Sequence, residues 1–385
     1  MEALPDSGVI DADGHVLEDS TLWDEYLERR YRERAIRVVP NEDGWDVLVV
    51  DGRVFPYFDP GTVTSMGTMD EGPVRVGPER RYMESRPLPA ADARARIEHC
   101  ERAGLDRALL YPTIGLQWEC VVPDAELCTA YLRAYNRWLA DFCRDSEGRL
   151  VAIAHLSLTD VELAVAELER ALDDGCRGAF VSPFTHTRIP LGHPDHDRFW
   201  AAAQSLDCPV AIHPTQDPPS MAVTQRFEPF DGLLCGGLLN TWNSVVFAPQ
   251  GVIQAFGTFF GYATFERFPR LKVGVLESSS GWIGSFLDRL DVLHQTPAGR
   301  ATGLKHKPSD YFRRQCFISS DPEERAVPLI IESVGSECFF WASDYPHGDH
   351  PPNWLENLAG FLEPLGPEAR RNVLGGNVRR IYNLD

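Results

Sequence analysis

Eight short apolar runs, rich in β-branched residues, recur along the sequence and are separated by amphipathic helical segments. This alternation is typical of βαβ units, in which helices connect parallel strands. The predicted strands are 8–13, 107–111, 150–156, 178–182, 209–213, 271–277, 316–319 and 338–343. Helices are predicted at 90–103, 125–144, 161–173, 195–205, 282–293 and 323–333. Eight parallel strands with intervening helices predict an α/β fold of the (β/α)8 TIM-barrel type, whose active site lies at the C-terminal ends of the strands.

Length and charge limit what such a barrel can do. The 385 residues, of which 43% are apolar, can bury a large core, and we expect a single barrel domain over 1–385. The 57 acidic and 37 basic residues give a net charge of −20, which disfavours binding to nucleic acid or to an anionic membrane. The N-terminus lacks a signal-peptide pattern, and no run reaches the roughly 18 apolar residues of a membrane span. A soluble, cytoplasmic protein is therefore expected.

Two insertions interrupt the barrel pattern. The first, 41–89, begins with a predicted β-hairpin, because Asp51 and Gly52 can take the positive φ values of a type I′ turn. It continues as a loop or lid rich in Gly, Pro and Arg. The second, 216–268, follows the fifth predicted strand and contains apolar and aromatic residues. We expect it to cover the barrel mouth or to form a subunit interface in a homo-oligomer.

The end of the first strand carries three residues of metal-ligand type. In VIDADGH, Asp11, Asp13 and His15 are two positions apart, so a regular strand would direct all three to one side. Carboxylate and imidazole groups in that position can bind a metal ion. The alternative is that they cap the following loop, and this motif alone does not decide between the two.

Three further strand ends carry residues of the same type. His213 ends the fifth strand in AIHPT, and Glu277 ends the sixth in VGVLESSSGW. Asp344 follows the eighth in WASDYPHGDH, with His347 three residues later. Because the C-terminal ends of barrel strands meet at one mouth, agreement among four strands favours a metal site over four separate loop contacts.

Several segments resemble the ACMS-decarboxylase-like branch of the amidohydrolase superfamily. They are VIDADGHVLE, LGHPDHDRFWAAAQSLDCPVAIHP, FPRLKVGVLESSSGWIGSFLDRLD, WASDYPH and VLGGNVRRIYNL, and they span nearly the whole chain. The resemblance implies a barrel with metal ligands from strands one, five, six and eight. It places the family's H-x-H pair on Asp13 and His15, its fifth-strand histidine on His213, and its eighth-strand aspartate on Asp344.

Two positions depart from the family pattern. Asp13 replaces the first histidine of the pair, and Glu277 stands where many hydrolytic and decarboxylating relatives have a histidine. The fourth strand, GAFVSP, offers no lysine that could serve as a carboxylated bridging ligand.

The expected ligand set combines three carboxylates with three imidazoles. Such a set favours Fe or Mn over Zn, which prefers nitrogen and sulfur ligands in a tetrahedral site. Six ligands suffice for two ions if Glu277 bridges them. The resemblance to di-iron enzymes given next implies two Fe ions, with Zn or Mn as the alternative. The six ligands are Asp13, His15, His213, Glu277, Asp344 and His347.

Within the superfamily, the carboxylate-rich pattern resembles the nonheme di-iron monooxygenases of platensimycin-type diterpenoid biosynthesis. That resemblance implies a monooxygenase of antibiotic biosynthesis, which uses O2 and an electron donor to hydroxylate a bulky, diterpenoid-like acyl-CoA thioester. The alternative is a hydrolase or nonoxidative decarboxylase in which a metal ion activates water and Asp344 acts as base. Asp344 and Glu277 are the predicted catalytic side chains. A third alternative is a barrel that serves only as a binding scaffold. Such a barrel would have lost ligand residues at several strand ends, whereas this sequence keeps ligand-type residues at strands one, five, six and eight.

Three residues are predicted to contact the substrate from within the barrel or its mouth. His155, on the third strand in VAIAHLSL, is placed to point into the barrel. Trp242 and Trp282 are placed to line a wide apolar pocket. Ordinary core packing is the alternative for all three.

Two basic runs are candidate binding sites for the phosphates of coenzyme A. The first includes Arg80 and Arg81, and the second includes Lys305 and Lys307. Guanidinium and ammonium groups pair with phosphate. The alternative is that both runs are solvated surface.

Overall fold

The computed structural model describes residues 8–71, 74–218, 220–221 and 238–385, without the side chains of 238–248.

In chain order the strands are β1 (Ile10–Val16), β2 (Arg37–Pro40), β3 (Asp46–Val50), β4 (Arg53–Val54), β5 (Arg107–Pro112), β6 (Leu150–Leu156), β7 (Gly178–Val181), β8 (Val210–Ile212), β9 (Val273–Val275), β10 (Cys316–Ser320) and β11 (Phe339–Trp341). Eight of them, β1 and β5 to β11, form one sheet in chain order, and every neighbouring pair is parallel. The predicted TIM barrel is confirmed, with a strand at each of the eight predicted places.

Backbone hydrogen bonds join the first barrel strand to the chain that follows the last one. His15 N donates to Tyr345 O over 2.7 Å, and Asp344 N donates to Asp13 O over 3.0 Å. These bonds nearly close the barrel where β1 and β11 meet. They also set residues 13–15 directly beside residues 344–345.

Helices separate the barrel strands and follow the last one. They are α1 (Leu22–Tyr26), α2 (Tyr82–Ser85), α3 (Leu88–Ala91), α4 (Ala93–Ala103), α5 (Gly115–Trp118), α6 (Ala125–Cys143), α7 (Val161–Asp173), α8 (Asp197–Ser205), α9 (Leu238–Gly261), α10 (Thr264–Arg267), α11 (Ile283–His294), α12 (Pro297–Arg300), α13 (Pro308–Gln315), α14 (Val327–Val334), α15 (Trp354–Leu362), α16 (Pro367–Arg371) and α17 (Asn377–Tyr382). Asp124 and Asp160 cap α6 and α7 by accepting hydrogen bonds from backbone N–H groups of the first turn. In the described part of the chain, no helix is long and apolar enough to cross a membrane.

The first insertion contributes a small antiparallel sheet. Strand β3 pairs with both β2 and β4. Between β3 and β4, Asp51 and Gly52 have φ values of 51° and 71°. The positive values are those that a type I′ turn requires, so the predicted hairpin is confirmed.

The C-terminal helix covers the N-terminal end of the barrel. Val378 and Tyr382 of α17 belong to the apolar cluster that fills the barrel interior, together with Phe180 and Phe317. Tyr382 lies so close to Gly178, the first residue of β7, that a Cβ there would be 2.5 Å from its ring. Within the described residues, α17 thus fills the end where the strands begin, and a site is expected at the end where they finish.

A β-bulge in β1 changes which side chains face the barrel interior. From Asp11 to Gly14 the strand advances three residues while β5 advances two. Ala12 faces the interior before the bulge, and His15 faces it afterwards. The prediction that Asp11, Asp13 and His15 point to one side is therefore wrong. Asp11 faces the surrounding helices, and only the other two side chains reach the centre of the barrel.

The described part of the second insertion joins the core. Phe256, Phe259 and Phe260 are buried, and each packs against Phe265. Residues 222–237, on which the predicted cover of the barrel mouth depends, lie outside the described residues. The cover and the subunit interface therefore stay predictions.

Candidate metal centre

The ends of β1, β8, β9 and β11 bring six ligand-type side chains together. Among the described residues, two overlapping groups place one possible ligand atom per residue within 4.8 Å of one another. The first group is Asp13, His15, His213 and Glu277, and the second is His15, Glu277, Asp344 and His347. The six residues predicted as ligands thus meet at one place.

Several atoms of the first group face each other without a hydrogen-bond partner. Asp13 Oδ1 lies 3.4 Å from His15 Nε2 and 3.5 Å from His213 Nε2. Glu277 Oε2 lies 3.3 Å from His213 Nε2. Both oxygens of Asp13, Nε2 of each histidine and Oε2 of Glu277 are buried and form no hydrogen bond within the described structure. Leaving one such atom unpaired costs about 1–3 kcal/mol, so the group fits a cation that would pair with all of them.

The two histidines turn the appropriate nitrogen toward this centre. His15 Nδ1 lies 2.8 Å from Pro112 O, and His213 Nδ1 lies 2.8 Å from Pro214 O. Because a carbonyl oxygen only accepts, Nδ1 must donate in both contacts. In the neutral ring, Nε2 then has a free lone pair, which is the state in which histidine binds a metal ion.

Asp344 lies among three histidines. Its Oδ1 is 3.0 Å from both His15 Nε2 and His347 Nδ1, and its Oδ2 is 3.4 Å from His350 Nε2. His347 Nε2 in turn lies 3.0 Å from Thr113 Oγ1. Both nitrogens of His347 therefore have partners, so this residue would coordinate an ion only by giving up one contact. In the present arrangement, His347 Nδ1 can share a proton with the Asp344 carboxylate.

The charges of the centre shift its protonation in opposite directions. Burial opposes the charged form of His15, but the Asp13 and Asp344 carboxylates outweigh it and raise the pKa of His15 well above its usual range. Burial and the neighbouring Asp344 raise the pKa of Glu277 well above that of an ordinary glutamate. Burial also disfavours ionised Asp344, yet His347 and His15 hold the pKa of its carboxyl well below the usual range. A cation entering the centre would have to displace protons from His15 and Glu277.

The backbone at two of these residues adopts a conformation that side chains rarely take. Glu277 and Asp344 have φ values of 39° and 53°. Left-handed conformations of residues other than glycine cost on the order of 1 kcal/mol or more and concentrate at functional sites. Their occurrence at two of the strand ends supports a functional role for this centre.

A buried network behind the ligands fixes β1 relative to residue 344. Ser343 donates to Asp11 from both N (3.0 Å to Oδ1) and Oγ (2.6 Å to Oδ2). Arg96 of α4 donates to His15 O over 3.0 Å. Gly14 leaves room for this guanidinium, since a Cβ there would lie 2.4 Å from Arg96 Nη2. The sequence-based interpretation assigned no role to Ser343 or Arg96.

Two of the three predicted substrate contacts, His155 and Trp282, pack against other side chains of the chain. His155 is fully buried on β6, with Nε2 3.1 Å from Glu119 Oε2. Trp282 packs edge-on against Phe286, with the ring centroids 5.2 Å apart. The side chain of Trp242 lies outside the described residues. Contact of these residues with a substrate stays a prediction.

Three of the four predicted phosphate-binding residues form ion pairs with acidic side chains of the chain itself. The pairs are Arg80–Glu71 (2.9 Å), Arg81–Asp46 (2.9 Å) and Lys305–Glu266 (2.6 Å). Lys307 is exposed immediately before α13. Arg80 and Arg81 thus help to hold the first insertion together, and their binding of coenzyme A stays a prediction.

The sequence-based interpretation missed two residues near this centre. His350 lies in the same loop as His347 and forms a third group of possible ligands with Asp344 and Asp349. The short spacing of the histidines in HGDH was the available signal for His350. Glu119, in the 3₁₀ turn after α5, is buried against His155. Glu119 lies in a turn that does not follow a predicted strand and carries no recognisable motif, so the sequence offered no signal for it.

A family profile and several curated proteins match most of the chain. The amidohydrolase family profile matches residues 10–384. A gamma-resorcylate decarboxylase of Polaromonas sp. is 26% identical over 316 residues, which are 79% of this chain and 90% of that protein. A gamma-resorcylate decarboxylase of Rhodococcus jostii is 26% identical over 278 residues, which are 69% of this chain and 80% of that protein.

Solved structures share the fold over nearly the whole chain. An amidohydrolase of Mycobacterium avium subsp. paratuberculosis has a TM-score of 0.81 at 21% identity, covering 98% of this chain and 100% of its own. A dihydroxybenzoic acid decarboxylase of Polaromonas sp., solved with manganese and the inhibitor 2-nitroresorcinol, has a TM-score of 0.63 at 20% identity. That match covers 98% of this chain and 97% of the decarboxylase.

These relatives correct the predicted reaction. The prediction of a monooxygenase in antibiotic biosynthesis is wrong, because the curated relatives that match most of the chain are decarboxylases. It depended on Asp13 and Glu277, whose carboxylates also suit ions that act without a redox change. The two Fe ions, O2 and the electron donor followed from that prediction and have no support from the relatives. The chain belongs to the amidohydrolase family.

Proposed function

We propose that this chain is a metal-dependent, nonoxidative decarboxylase of phenolic carboxylates. The observation that carries the proposal is the convergence of buried, unpartnered ligand atoms from Asp13, His15, His213 and Glu277 at the C-terminal end of the barrel. The named activity of the curated relatives, which match 62–79% of the chain, favours decarboxylation over hydrolysis.

Asp13, His15 and His213 would hold one divalent cation, with Glu277 and Asp344 beside it. One ion is proposed because the two ligand groups share His15 and Glu277. Manganese suits a mixed set of carboxylates and imidazoles, and a decarboxylase of the same fold binds it. When bound, such an ion supplies positive charge for the carboxylate and hydroxyl oxygens of the substrate.

Decarboxylation of a phenolic acid requires a proton at the ring carbon that bears the carboxylate. The proton adds to this carbon, the bond to the carboxylate breaks, and its electron pair restores the aromatic ring as CO2 leaves. The balance needs no oxidant and no reductant. A hydroxyl group ortho or para to the carboxylate makes that carbon basic enough to accept the proton.

Asp344 and His347 are the pair we assign to this proton transfer. Their contact of 3.0 Å allows a proton to be shared between the carboxylate and Nδ1. Thr113, 3.0 Å from His347 Nε2, holds the ring in that orientation. Asp344 is almost fully buried, so bulk water does not compete with the substrate for the proton.

The proposal is tested by measuring CO2 release from the manganese-loaded full chain. The substrates are 2,6-dihydroxybenzoate, 2,3-dihydroxybenzoate, 2,4-dihydroxybenzoate and 5-carboxyvanillate, with benzoate as the control that lacks a phenol. We expect at least one phenolic acid to release one CO2 for each phenol formed. The Asp344→Asn variant should lose this activity. Hydrolysis of phenyl esters without CO2 release from any of the four acids would contradict it.

A further inference from the structure

A second buried polar cluster lies beside the metal centre and outside its ligand groups. Glu119, His155 and Ser182 are exposed by only 1%, 0% and 2%. Glu119 Oε2 lies 3.1 Å from His155 Nε2 and accepts a hydrogen bond from Ser182 Oγ. The three side chains come from the 3₁₀ turn after α5, from β6 and from the end of β7.

The strand register places this cluster at the level of the metal ligands. Val181 is opposite Ile212, so the next residues along β7 and β8, Ser182 and His213, are also side by side. His213 N donates to Val181 O over 3.2 Å, which shows that the parallel pairing continues to this point. Adjacent strands are about 4.8 Å apart. Ser182, and the Glu119 carboxylate bonded to it, therefore lie next to a ligand of the proposed cation.

Further contacts enclose the cluster. The ring of His155 stacks on Phe180 at 4.2 Å, and Phe180 lies 5.5 Å from the His213 ring. His186 Nε2 donates to Glu119 O over 2.9 Å. Three residues after His213, the backbone N–H of residue 216 bonds to the carbonyl of residue 116, so the chain that leaves the metal ligand lies against α5, which directly precedes Glu119.

Three polar atoms of the cluster have no partner within the described part of the chain. They are Glu119 Oε1, His155 Nδ1 and the indole Nε1 of the adjacent Trp118. Because His155 Nε2 faces a carboxylate, it carries the hydrogen, and Nδ1 is then an acceptor in the neutral ring. A single hydroxyl group can donate to one of these two acceptors and accept from the indole N–H. Carboxylates and other anions would be repelled by Glu119.

We propose that Glu119 and His155 form a subsite that binds a ring hydroxyl of the substrate while the substrate carboxylate lies at the metal centre. This inference rests on the proposed function and makes it more specific: the preferred substrates carry a second hydroxyl group. A water molecule can also donate to these acceptors and accept from the indole, so the experiment must separate a substrate hydroxyl from a resident water.

Calorimetric titration of the manganese-loaded full chain separates the two. The ligands are 2-hydroxybenzoate and its 2,3-, 2,4-, 2,5- and 2,6-dihydroxy derivatives. At least one dihydroxybenzoate is expected to bind about tenfold or more tightly than 2-hydroxybenzoate, since a site built for a hydroxyl discriminates strongly against its absence. Glu119→Gln and His155→Phe are expected to reduce that ratio to about twofold or less and to leave the affinity for 2-hydroxybenzoate unchanged.

Two further variants keep the test decisive. Ser182→Ala removes only a donor to Glu119 and is expected to lower the ratio by about threefold even if the other variants fail to fold. His186→Gln is the matched control, because the His186 side chain bonds to the backbone carbonyl of Glu119 and not to its carboxylate, and it should retain the wild-type ratio.

The outcomes distinguish this inference from the proposed function. If the wild type binds no dihydroxybenzoate more tightly than 2-hydroxybenzoate, or binds none of the five ligands, the subsite is overturned. A resident water is then its occupant. A preference that survives in Glu119→Gln and in His155→Phe overturns it as well. Binding with the expected preference but without CO2 release supports the subsite and contradicts the decarboxylase.

Discussion

Ser343 donates a hydrogen bond of 2.6 Å from Oγ to Asp11 Oδ2, and so ties the residue before Asp344 to the first barrel strand. The two residues are 332 positions apart in the chain, and both are buried. Asp13 is two residues after Asp11, and Asp344 directly follows Ser343. The contact therefore helps to set the separation of the Asp13 and Asp344 carboxylates in the candidate metal centre.

Replacement of Ser343 by alanine should weaken manganese binding by about tenfold, because groups that orient metal ligands typically contribute that much. It should also lower the free energy of unfolding by about 1–2 kcal/mol, since Asp11 Oδ2 loses its partner. Manganese titration and urea unfolding measure the two effects. Ser285→Ala, at an exposed serine on α11, is the matched control. Unchanged manganese affinity in Ser343→Ala would show that the contact does not position the ligands.

Asp13→Asn should abolish stable manganese binding. The substitution keeps the shape of the side chain but removes the charge that faces His15 and His213, and asparagine is a weaker ligand than a carboxylate. Metal content after dialysis is expected to fall by at least about tenfold. Asp43→Asn, at an exposed aspartate, should retain the wild-type content. Full metal content in Asp13→Asn would exclude this residue from the ligand set.

His99 should make the protein less stable in mild acid. Burial, with Arg96 and Arg102 nearby, lowers the pKa of His99 to about 4, whereas the ordinary value is about 6.5. Between these values the unfolded chain binds more protons, so this contribution to stability is complete above pH 6.5 and is lost as the pH falls toward 4. Between pH 7.5 and 5.5 the loss is about 1 kcal/mol.

The variant His99→Phe isolates this effect. Phenylalanine can keep the stacking on Tyr345, where the ring centroids are 4.3 Å apart, and it does not titrate. Urea unfolding at pH 7.5 and 5.5 should show a smaller loss of stability for the variant than for the wild type. An equal loss in both proteins would mean that His99 does not bind a proton on unfolding in this range.

The strand positions were predictable from the sequence because each barrel strand is a short apolar run bounded by turn residues. The ligands followed from them, since His213 and Glu277 come directly after such runs. The orientation of Asp11 was not predictable, because the bulge in β1 is visible only in its pairing with β5. Glu119 escaped notice because its partner His155 is 36 residues away and only the fold brings them together.

The reaction was less predictable than the site. Asp13 and Glu277 replace histidines of the family pattern, and these two carboxylates suggested iron and O2 chemistry. A ligand set limits which ions bind, but it does not determine whether the bound ion changes its oxidation state. The choice between oxidation and decarboxylation depends on the substrate, which the ligand residues do not specify.

The most direct test of the proposed decarboxylase is turnover of a phenolic carboxylate by the manganese-loaded chain in D2O, with CO2, dissolved O2 and the product mass measured together. We expect one CO2 per turnover, no consumption of O2, and one deuterium at the ring carbon that carried the carboxylate. A product that keeps its carboxylate and gains an oxygen atom while O2 is consumed would contradict it.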